Sequence, residues 1–178
     1  IACGLDTRCY RMKGKYVRWY NLDLPETINI RKQFLKETGP IYQIAKSAMD
    51  ESYRDNIQYH GENILVIIEG LTMYLSENDI KKMFSIIDFK NSTVMVEVMV
   101  PFVVKHIKEK SIEGSHAKFT WGIKNGKELE KFLPTFSFLT EVSLVEGMKK
   151  LMPIYHVLGK IPFVYNISNK IVVLNNHN

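Results

Sequence analysis

Short apolar runs alternate with stretches in which apolar residues recur every three or four positions, and this alternation predicts an α/β fold. The predicted strands, rich in β-branched and aromatic residues, are 15–23, 41–47, 63–70, 92–100, 135–147 and 169–176. Ile1–Cys3 is predicted to be the end of one further strand. Because the last two strands lack a clear helical crossover, we expect a mostly parallel sheet with an antiparallel C-terminal edge strand.

The strand predicted at 63–70 is distinguished by five consecutive apolar residues, several of them β-branched. Strands with an apolar residue at every position are typical of sheets that are covered by helices on both faces. We therefore expect this strand to be the most buried in the sheet.

The first long helix is predicted to start at Pro25, directly after the strand 15–23, since proline is favoured in the first turn of a helix. Ile28, Phe34 and Leu35 are expected to form its apolar stripe. The dipeptide Gly39–Pro40 is expected to end it, because neither residue supports a continuing helix.

A second helix is predicted for the sequence ENDIKKMFSIID, in which apolar residues recur at helical spacing. Ser76 and Asp79 form a capping-box pattern at its start. Further helices are predicted at 126–133 and 148–160. The pattern over 102–125 is less clear, and within it the sequence SIEGSHAKFTWGIKNG is expected to form a loop that leads to the helix at 126–133.

Composition places the chain among globular proteins. Apolar residues make up 46% and charged residues 24% of the sequence, which is ordinary for one domain, here taken as 1–178. No run approaches 18 uninterrupted apolar residues, so we expect neither a membrane span nor a membrane partner. The chain begins with Ile1, inside an apparent strand, so we expect that it is N-terminally truncated and that a further segment precedes it in the full protein.

Charge and cysteine content further limit the partners and the cellular compartment that we expect for the protein. The net charge of +5 is mild, and basic runs such as KHIKEK suit solvated helix faces, so no nucleic-acid partner is expected. Cys3 and Cys9 lie in one loop and form neither a disulfide framework nor a metal cluster. This use of cysteine fits the reducing cytoplasm, which is the compartment that we predict.

Candidate ligand-binding residues are found directly after the predicted strands. In open α/β sheets, ligands bind outside the carboxyl ends of the strands, at the point where the strand order reverses. This rule selects the residues just after each strand, namely Gly4, Leu5, Asp6, Thr7, Arg8, Asp23, Leu24, Ser47, Ala48, Asp50, Glu69, Gly70 and Leu71.

Asp23 lies nineteen residues after Gly4, at the tip of the strand 15–23. This spacing suits a carboxylate that accepts hydrogen bonds from both hydroxyls of an adenosine ribose. Aspartate is also a good N-cap, so the alternative is that Asp23 only caps the helix beginning at Pro25. The spacing by itself leaves both interpretations open.

The first loop lacks the glycine triplet that cradles a pyrophosphate. A dinucleotide-binding loop needs further glycines, whereas Leu5, Asp6 and Thr7 follow Gly4 here. The carboxylate of Asp6 would repel a phosphate and attract a cation. A ribose site without a phosphate site suits S-adenosylmethionine, which carries an adenosine, a sulfonium and an ammonium but no phosphate.

Glu69 ends the strand that is predicted to be the most buried, where an unpaired carboxylate would cost free energy. It therefore either pairs with a protein cation or faces a ligand site. The following Gly70 favours the second interpretation, because glycine permits the close approach of a ligand.

Four motifs, GLDTRCYRM, VRWYNLDLPETINIRKQFL, KSAMDESY and ILVIIEGLTMYLSENDI, occur in this order from residue 1 to about residue 100. Together they resemble the leucine carboxyl methyltransferase family, including its bacterial branch linked to polyketide O-methylation. The combination of GLDTR, DLP and EGLxMYL is specific, whereas each motif alone is weak. The resemblance implies a Rossmann-like class I methyltransferase sheet that binds S-adenosylmethionine.

The resemblance also implies a role for each matching residue of the first half of the motif set. Gly4 would line the methionine portion of the cofactor, and Asp6 and Arg8 would help to order that loop. Asp23, followed by Leu24, would bind the ribose hydroxyls. The chain departs from the family at Ala2, which stands where the first glycine of a Gly-x-Gly pattern is usual.

In the second half of the motif set, Ser47 and Ala48 would flank the adenine, although many relatives carry Asp where Ser47 stands. Glu69 would lie near the methionine ammonium, and Leu71 near the wall of the ligand site. Family members also carry an N-terminal helical segment that forms part of the acceptor lid and supplies a basic residue for the cofactor carboxylate. Because the sequence starts at the predicted first strand, we expect this segment to lie upstream of Ile1 in the full protein.

No catalytic base is assigned from the sequence. The histidines are His60, His106, His116, His156 and His177. His60 precedes a strand and so lies at the wrong edge of the sheet, whereas His156 lies in an apolar stretch typical of a core histidine. His116 and Trp121 lie in the predicted loop SIEGSHAKFTWGIKNG, where Trp121 could form the wall of an acceptor pocket. Tyr74 either lines the site or packs at a helix start.

The sequence therefore predicts an S-adenosylmethionine-dependent O-methyltransferase that acts on a small molecule or a carboxylate. One alternative is a methyltransferase-like domain that binds a partner without turnover. A nicotinamide-dependent oxidoreductase is disfavoured by the missing glycines. Nucleic-acid methylation ranks last, because the sequence has no basic stripe with interleaved aromatic residues.

Overall fold

The computed structural model of the protein describes residues 1–106 and 117–176. The chain divides into two compact units, Ile1–Glu62 and Asn63–Asn178, and each is described by itself. That 1–178 forms a single domain stays a prediction. In the part of the chain that the structure describes, no helix is long and apolar enough to cross a membrane.

The first unit is built around two parallel strands, β1 (Trp19–Asp23) and β2 (Ile41–Ala45). A short helix α1 (Arg8–Arg11) precedes β1, and α2 (Pro25–Phe34) connects the two strands. A 3₁₀ helix (Glu51–Asn56) follows β2. This strand–helix–strand order is the predicted one, with β1 beginning four residues later than its apolar pattern suggested.

The prediction that Ile1–Cys3 is the end of a strand is wrong. These residues form no strand, and the backbone of Ala2 takes a left-handed conformation with φ of 52°. A left-handed residue interrupts the extended backbone that a ladder of hydrogen bonds needs. One ladder-like bond remains, in which the Cys3 amide donates to the carbonyl of Leu22 at 3.2 Å.

The apolar stripe predicted for α2 is only partly correct. Ile28 is fully buried, but Phe34 is 70% exposed, and the helix ends there, before Gly39–Pro40. The other buried residue of α2 is Arg31, which lies three positions after Ile28 and therefore on the same helix face. A charged side chain thus takes a place where the pattern predicted an apolar one.

The second unit contains a four-stranded sheet in the order β3-β4-β6-β5. Its elements are β3 (Ile64–Ile68), a 3₁₀ helix (Thr72–Tyr74), α3 (Glu77–Ile86), β4 (Ser92–Val98), α4 (Pro101–His106), α5 (Gly126–Phe132), β5 (Phe136–Ser143), α6 (Val145–Leu151), α7 (Tyr155–Leu158), α8 (Pro162–Ile167) and β6 (Lys170–Asn176). β3 and β4 are parallel, whereas β6 runs antiparallel to both β4 and β5. The predicted mostly parallel α/β sheet with an antiparallel C-terminal strand is confirmed.

The core of the second unit lies on one face of β4 and β6, where alternate side chains are buried. The prediction that 63–70 is the most buried strand is wrong, since Leu65 is 56% exposed and only Ile68 of β3 is fully buried. The low burial of β3 follows from its position in the sheet. β3 stands at an end of the four-stranded sheet, and within that sheet it pairs with β4 alone.

The helices of the second unit differ from their predictions mainly at their ends. Ser76 and Asp79 form the predicted capping box at the start of α3. The single helix predicted at 148–160 is wrong, because α6 begins at Val145 and a separate helix, α7, follows Pro153. Proline lacks the amide hydrogen that a continuous helix would need at this point.

Candidate functional site

In the first unit, the loop at residues 4–8 and the tip of β1 are held together by Asp23. One carboxylate oxygen of Asp23 accepts the Gly4 amide at 2.8 Å, and the other accepts the amide of Leu24 at 2.8 Å. Gly4 has a left-handed φ of 48°, and a Cβ atom placed on it would meet nothing within 4 Å. The structure therefore brings Gly4 and Asp23 together beside open space.

The carboxylate of Asp6 is engaged within its own loop. Its two oxygens accept the backbone amide of Arg8 at 2.9 Å and the Nε of Arg8 at 2.6 Å. A nitrogen of the Arg11 guanidinium lies 3.7 Å from the same carboxylate. The negative charge is thus balanced locally, and these contacts fix the turn that leads into α1.

Arg31, on α2, binds this loop through two backbone carbonyls. It was not predicted as a site residue from the sequence. Its Nη1 donates to the Gly4 carbonyl at 2.8 Å, and its Nη2 donates to the Asp6 carbonyl at 2.7 Å. Its side chain has no solvent exposure. The available signal was the spacing of Ile28 and Arg31, which puts a charged residue on the buried stripe of α2.

Glu37 neutralises Arg31 inside the unit. Its Oε1 accepts from the Nε of Arg31 at 2.8 Å and from Nη2 of the same guanidinium. Burial by itself lowers the pKa of Arg31, but the hydrogen bonds and charge of Glu37 outweigh it and raise the pKa overall. Arg31 is therefore charged at neutral pH.

Two further predicted site residues, Ser47 and Ala48, follow β2 and are separated from it by Lys46. The Ser47 hydroxyl accepts the amide of Met49 at 3.1 Å, and the Ser47 carbonyl accepts the amide of Asp50 at 3.0 Å. These bonds form a tight turn at the carboxyl end of β2. Since β1 and β2 are parallel, the turn lies at the same edge of this two-stranded sheet as Asp23.

In the second unit, the predicted residues Glu69 and Leu71 follow the end of β3 and are both partly buried. Gly70, between them, has a left-handed φ of 65°, and a Cβ atom placed on it would meet nothing within 4 Å. Its amide donates to the carboxylate of Glu97 at 3.0 Å. The turn after β3 is thus anchored to the end of β4.

Glu97, in β4, anchors this turn and was not predicted from the sequence. Besides Gly70, its carboxylate accepts the side-chain amide of Asn169 at 2.8 Å. Its carbonyl accepts the hydroxyl of Thr72 at 2.7 Å. The single acidic residue within the apolar run STVMVEVMV was the signal that could have identified it.

The histidines do not supply an assigned base. His60 and His156 are exposed, so the expectation that His156 is a core residue is wrong. The ring of His106, at the end of α4, packs on Phe102 with a centroid distance of 4.6 Å, and its Nδ1 lies 2.9 Å from the Phe102 carbonyl. His116 and His177 lie outside the described residues.

The two aromatic residues considered for the site pack mainly on other rings. Trp121 is buried, and its ring centroid lies 5.9 Å from that of Phe132, so Trp121 belongs to the core. Tyr74 is partly buried, with its ring 5.5 Å from that of Phe119. Neither contact identifies an acceptor-binding residue.

Known proteins resemble the chain in sequence. Residues 1–88 match the model of the leucine carboxyl methyltransferase family, which confirms the resemblance predicted above. The chain is 31% identical over 151 residues to the tetracenomycin polyketide synthesis O-methyltransferase TcmP of Streptomyces glaucescens, covering 83% of the chain and 56% of that protein. It is 25% identical over 167 residues to the S-adenosyl-L-methionine-dependent methyltransferase dpfgK of Gibberella zeae, covering 85% and 56%. The chain thus spans a little over half the length of these curated relatives.

A solved structure gives an independent comparison of the fold. The chain is similar to an S-adenosylmethionine-dependent methyltransferase from Anabaena variabilis, with a TM-score of 0.62 and 12% sequence identity. The similarity covers 98% of this chain and 74% of that chain. At this low identity it concerns the fold alone, and it confirms the predicted Rossmann-like class.

Proposed function

We propose that this chain, whose residues 1–88 belong to the leucine carboxyl methyltransferase family, is part of an S-adenosylmethionine-dependent O-methyltransferase. The observation that carries the proposal is the pairing of Asp23 with the amide of Gly4 at 2.8 Å beside open space. A loop with one glycine and a nearby carboxylate suits an adenosine cofactor that has no pyrophosphate.

The residues of the first unit fit the adenosine part of this cofactor. Each oxygen of the Asp23 carboxylate accepts one backbone amide, and a carboxylate oxygen has a second lone pair for a ribose hydroxyl. Leu24 is half exposed next to it. Ser47 and Ala48, in the turn after β2, would flank the adenine, as the family resemblance implies.

The remaining residues would bind or support the methionine part. Gly4 would line it, while Asp6 and Arg8, paired at 2.6 Å, would order the loop without necessarily touching the ligand. Glu69 would lie near the ammonium and Leu71 near the apolar wall. These two roles are what the family resemblance implies. Within the second unit, the bond from the Gly70 amide to Glu97 fixes the turn that carries both residues.

The chemistry asks little of the protein beyond binding and orientation. When bound, S-adenosylmethionine supplies a methyl group that is already activated on a sulfonium. The protein therefore contributes chiefly by holding the two reactants in line, which is worth several kcal/mol in well-oriented reactions. A carboxylate acceptor is ionised at neutral pH and needs no base, whereas a phenol or alcohol benefits from one.

We propose a small molecule of polyketide-like, apolar character as the acceptor. Phe102 on α4, directly after β4, packs edge-to-face on Phe163 of α8 at a centroid distance of 6.1 Å. The two rings are 45% and 60% exposed, which supports a flat apolar acceptor. The name of the polyketide-modifying relative TcmP supports the same choice.

The proposal also covers organisation and location. We propose that 1–178 acts as one methyltransferase domain within a longer protein. Cys3 and Cys9 form no disulfide, and burial raises the pKa of the Cys3 thiol to about 11. Two thiols that stay protonated are compatible with the cytoplasmic location that we propose.

The experiment that tests the function uses the full-length protein with S-adenosylmethionine and a panel of phenols, alcohols and carboxylic acids. Mass spectrometry should detect one added methyl group on an aromatic hydroxyl compound. If only carboxylic acids were methylated, the acceptor would be a carboxylate and not a polyketide-like hydroxyl compound. Tight cofactor binding without any methylated product would favour the non-catalytic alternative.

Glu69→Gln provides a second test with the same protein. If Glu69 faces the cofactor, calorimetry should record a much weaker affinity for S-adenosylhomocysteine with little change in melting temperature. A loss of melting temperature without a change in affinity would make Glu69 a structural residue.

A further inference from the structure

We propose that Arg31, held by Glu37, is a positioning residue that keeps the loop at 4–8 in the conformation that binds the cofactor. It would set cofactor affinity without touching the ligand. The inference rests on the proposed function, but its geometry lies entirely within the first unit.

The two hydrogen bonds from Arg31 fix the direction of two peptide groups. In a planar trans peptide, the carbonyl and the following amide point in opposite directions. Because the carbonyls of Gly4 and Asp6 point at Arg31, the amides of Leu5 and Thr7 point away from it. In the described part of the chain, neither amide donates to a protein acceptor, and both residues are exposed.

The loop therefore presents two backbone donors on the surface opposite to Arg31. Backbone amides that are oriented in advance bind an anionic or carbonyl oxygen without first paying to order the loop. If Arg31 were absent, the Gly4–Leu5 and Asp6–Thr7 peptides could rotate, and these two amide donors would lose their common direction. Arg31 thus acts on the ligand through the loop.

The arrangement around Glu37 is that of a rigid support. The Glu37 side chain is 1% exposed, and its Oε1 also accepts from the side-chain amide of Asn21 at 2.8 Å. The Oδ1 of Asn21 in turn accepts the indole nitrogen of Trp19 at 2.8 Å. Arg31 is thereby tied to β1 as well as to the loop, so the guanidinium cannot shift independently of the strand that carries Asp23.

A buried ion pair of this kind is weak evidence for stability, because desolvating two charges offsets their attraction. Its value lies in specifying one conformation. The apparent dissociation constant rises in proportion as the fraction of molecules in the binding-competent state falls. A loop that is competent about one tenth of the time would therefore bind about tenfold more weakly.

The test compares Arg31→Lys with wild type, using the full-length protein. Lysine keeps the charge but cannot donate to both carbonyls in the fork geometry of arginine. We expect a dissociation constant for S-adenosylhomocysteine that is raised about tenfold or more by calorimetry. Without ligand, hydrogen–deuterium exchange should accelerate for peptides covering residues 4–8 and stay unchanged in α3.

Arg18→Met is the matched control, because Arg18 forms an ion pair with Glu62 in the same unit that does not contact the loop. Its affinity for S-adenosylhomocysteine should stay within about twofold of wild type. Glu37→Gln, which keeps the acceptor oxygen but removes the charge, serves as the second variant if Arg31→Lys does not fold. It should change affinity and exchange in the same direction.

Each possible result either supports or overturns the positioning role of Arg31. If the wild type binds and Arg31→Lys binds equally well, with only a lower melting temperature, Arg31 is merely structural and the inference is overturned. If the wild type does not bind S-adenosylhomocysteine, the proposed function fails. In that case unchanged exchange at residues 4–8 would also overturn the positioning role, whereas faster exchange there would uphold it.

Discussion

At the scale of single residues, the candidate site consists mainly of backbone groups that side chains hold in place. The carboxylate of Asp23 accepts two backbone amides, and Arg31 donates to two backbone carbonyls of the same loop. Both side chains thus bind backbone groups of the short loop around Gly4. Substitutions there should therefore change ligand binding more than they change the fold.

Asp23→Ala should abolish the binding of S-adenosylhomocysteine, because it removes the proposed ribose acceptor and the partner of the Gly4 amide together. Asp23→Asn retains one acceptor oxygen and should bind weakly. Isothermal calorimetry on the full-length variants gives the measurement, with Asp55→Ala, an exposed aspartate of the same unit, as the control. An unchanged affinity for Asp23→Ala would refute the ribose assignment.

Ala2→Gly should stabilise the protein by up to about 1 kcal/mol. Ala2 has a φ of 52°, a conformation that costs an ordinary L-residue about 1–2 kcal/mol, and glycine relieves this cost while making the unfolded chain more flexible. Urea unfolding measures the difference. Asn91→Gly, at a φ of 57°, should change stability less, because asparagine tolerates this conformation; a destabilised Ala2→Gly would contradict the account.

At the scale of elements, sequence patterns located most helices and strands, and their failures have physical causes. The strand–helix order and the capping box of α3 follow from local patterns and were predictable. Burial was not, because it depends on which neighbours a strand has. The apolar strand β3 stands at an end of its sheet, so Leu65 is exposed despite its pattern.

The candidate site was predictable to a similar extent. Strand ends and motifs identified Gly4 and Asp23, which the structure brings together. Arg31 and Glu97 were missed, because their importance lies in hydrogen bonds to backbone groups that are distant in sequence. Glu37 was missed because its partners are the side chains of Arg31 and Asn21. No periodic pattern records such partners.

Ser76→Ala should cost about 1 kcal/mol of stability, since it removes the N-cap of α3. Hydrogen bonds from Ser76 hold the pKa of Asp79 below its ordinary value, which is near 3.8. The capping box therefore stabilises the folded protein at pH values above 3.8, and this contribution is lost as the pH falls through the lowered pKa. Denaturant unfolding at pH 7 and near pH 3 should record a smaller difference in acid. Ser85→Ala, within the same helix, should be neutral or stabilising, and an equal loss for both variants would contradict the capping role.

At the scale of the whole molecule, two compact units each carry their own sheet. Composition and alternation could predict the α/β class, since these are properties of the chain as a whole. They could not predict the division near residue 62, because a boundary depends on how few contacts cross it. The proposal that 1–178 is a single domain therefore means that the two units unfold together in one cooperative transition.

Calorimetric unfolding of the 178-residue chain should give one transition, with equal calorimetric and van't Hoff enthalpies, if 1–178 is one cooperative domain. S-adenosylhomocysteine should move that transition to higher temperature, because a ligand that binds only the folded state stabilises it by mass action. Two separate transitions, of which the ligand moves only one to higher temperature, would mean that the two units unfold independently.

The central claim is that the loop at 4–8 and Asp23 bind a cofactor with an adenosine but no pyrophosphate. The most direct measurement titrates the full-length protein with S-adenosylhomocysteine and, in parallel, with NADH in an isothermal calorimeter. We predict saturable binding of one S-adenosylhomocysteine per chain and no saturable binding of NADH. Saturable binding of NADH without binding of S-adenosylhomocysteine would contradict the account.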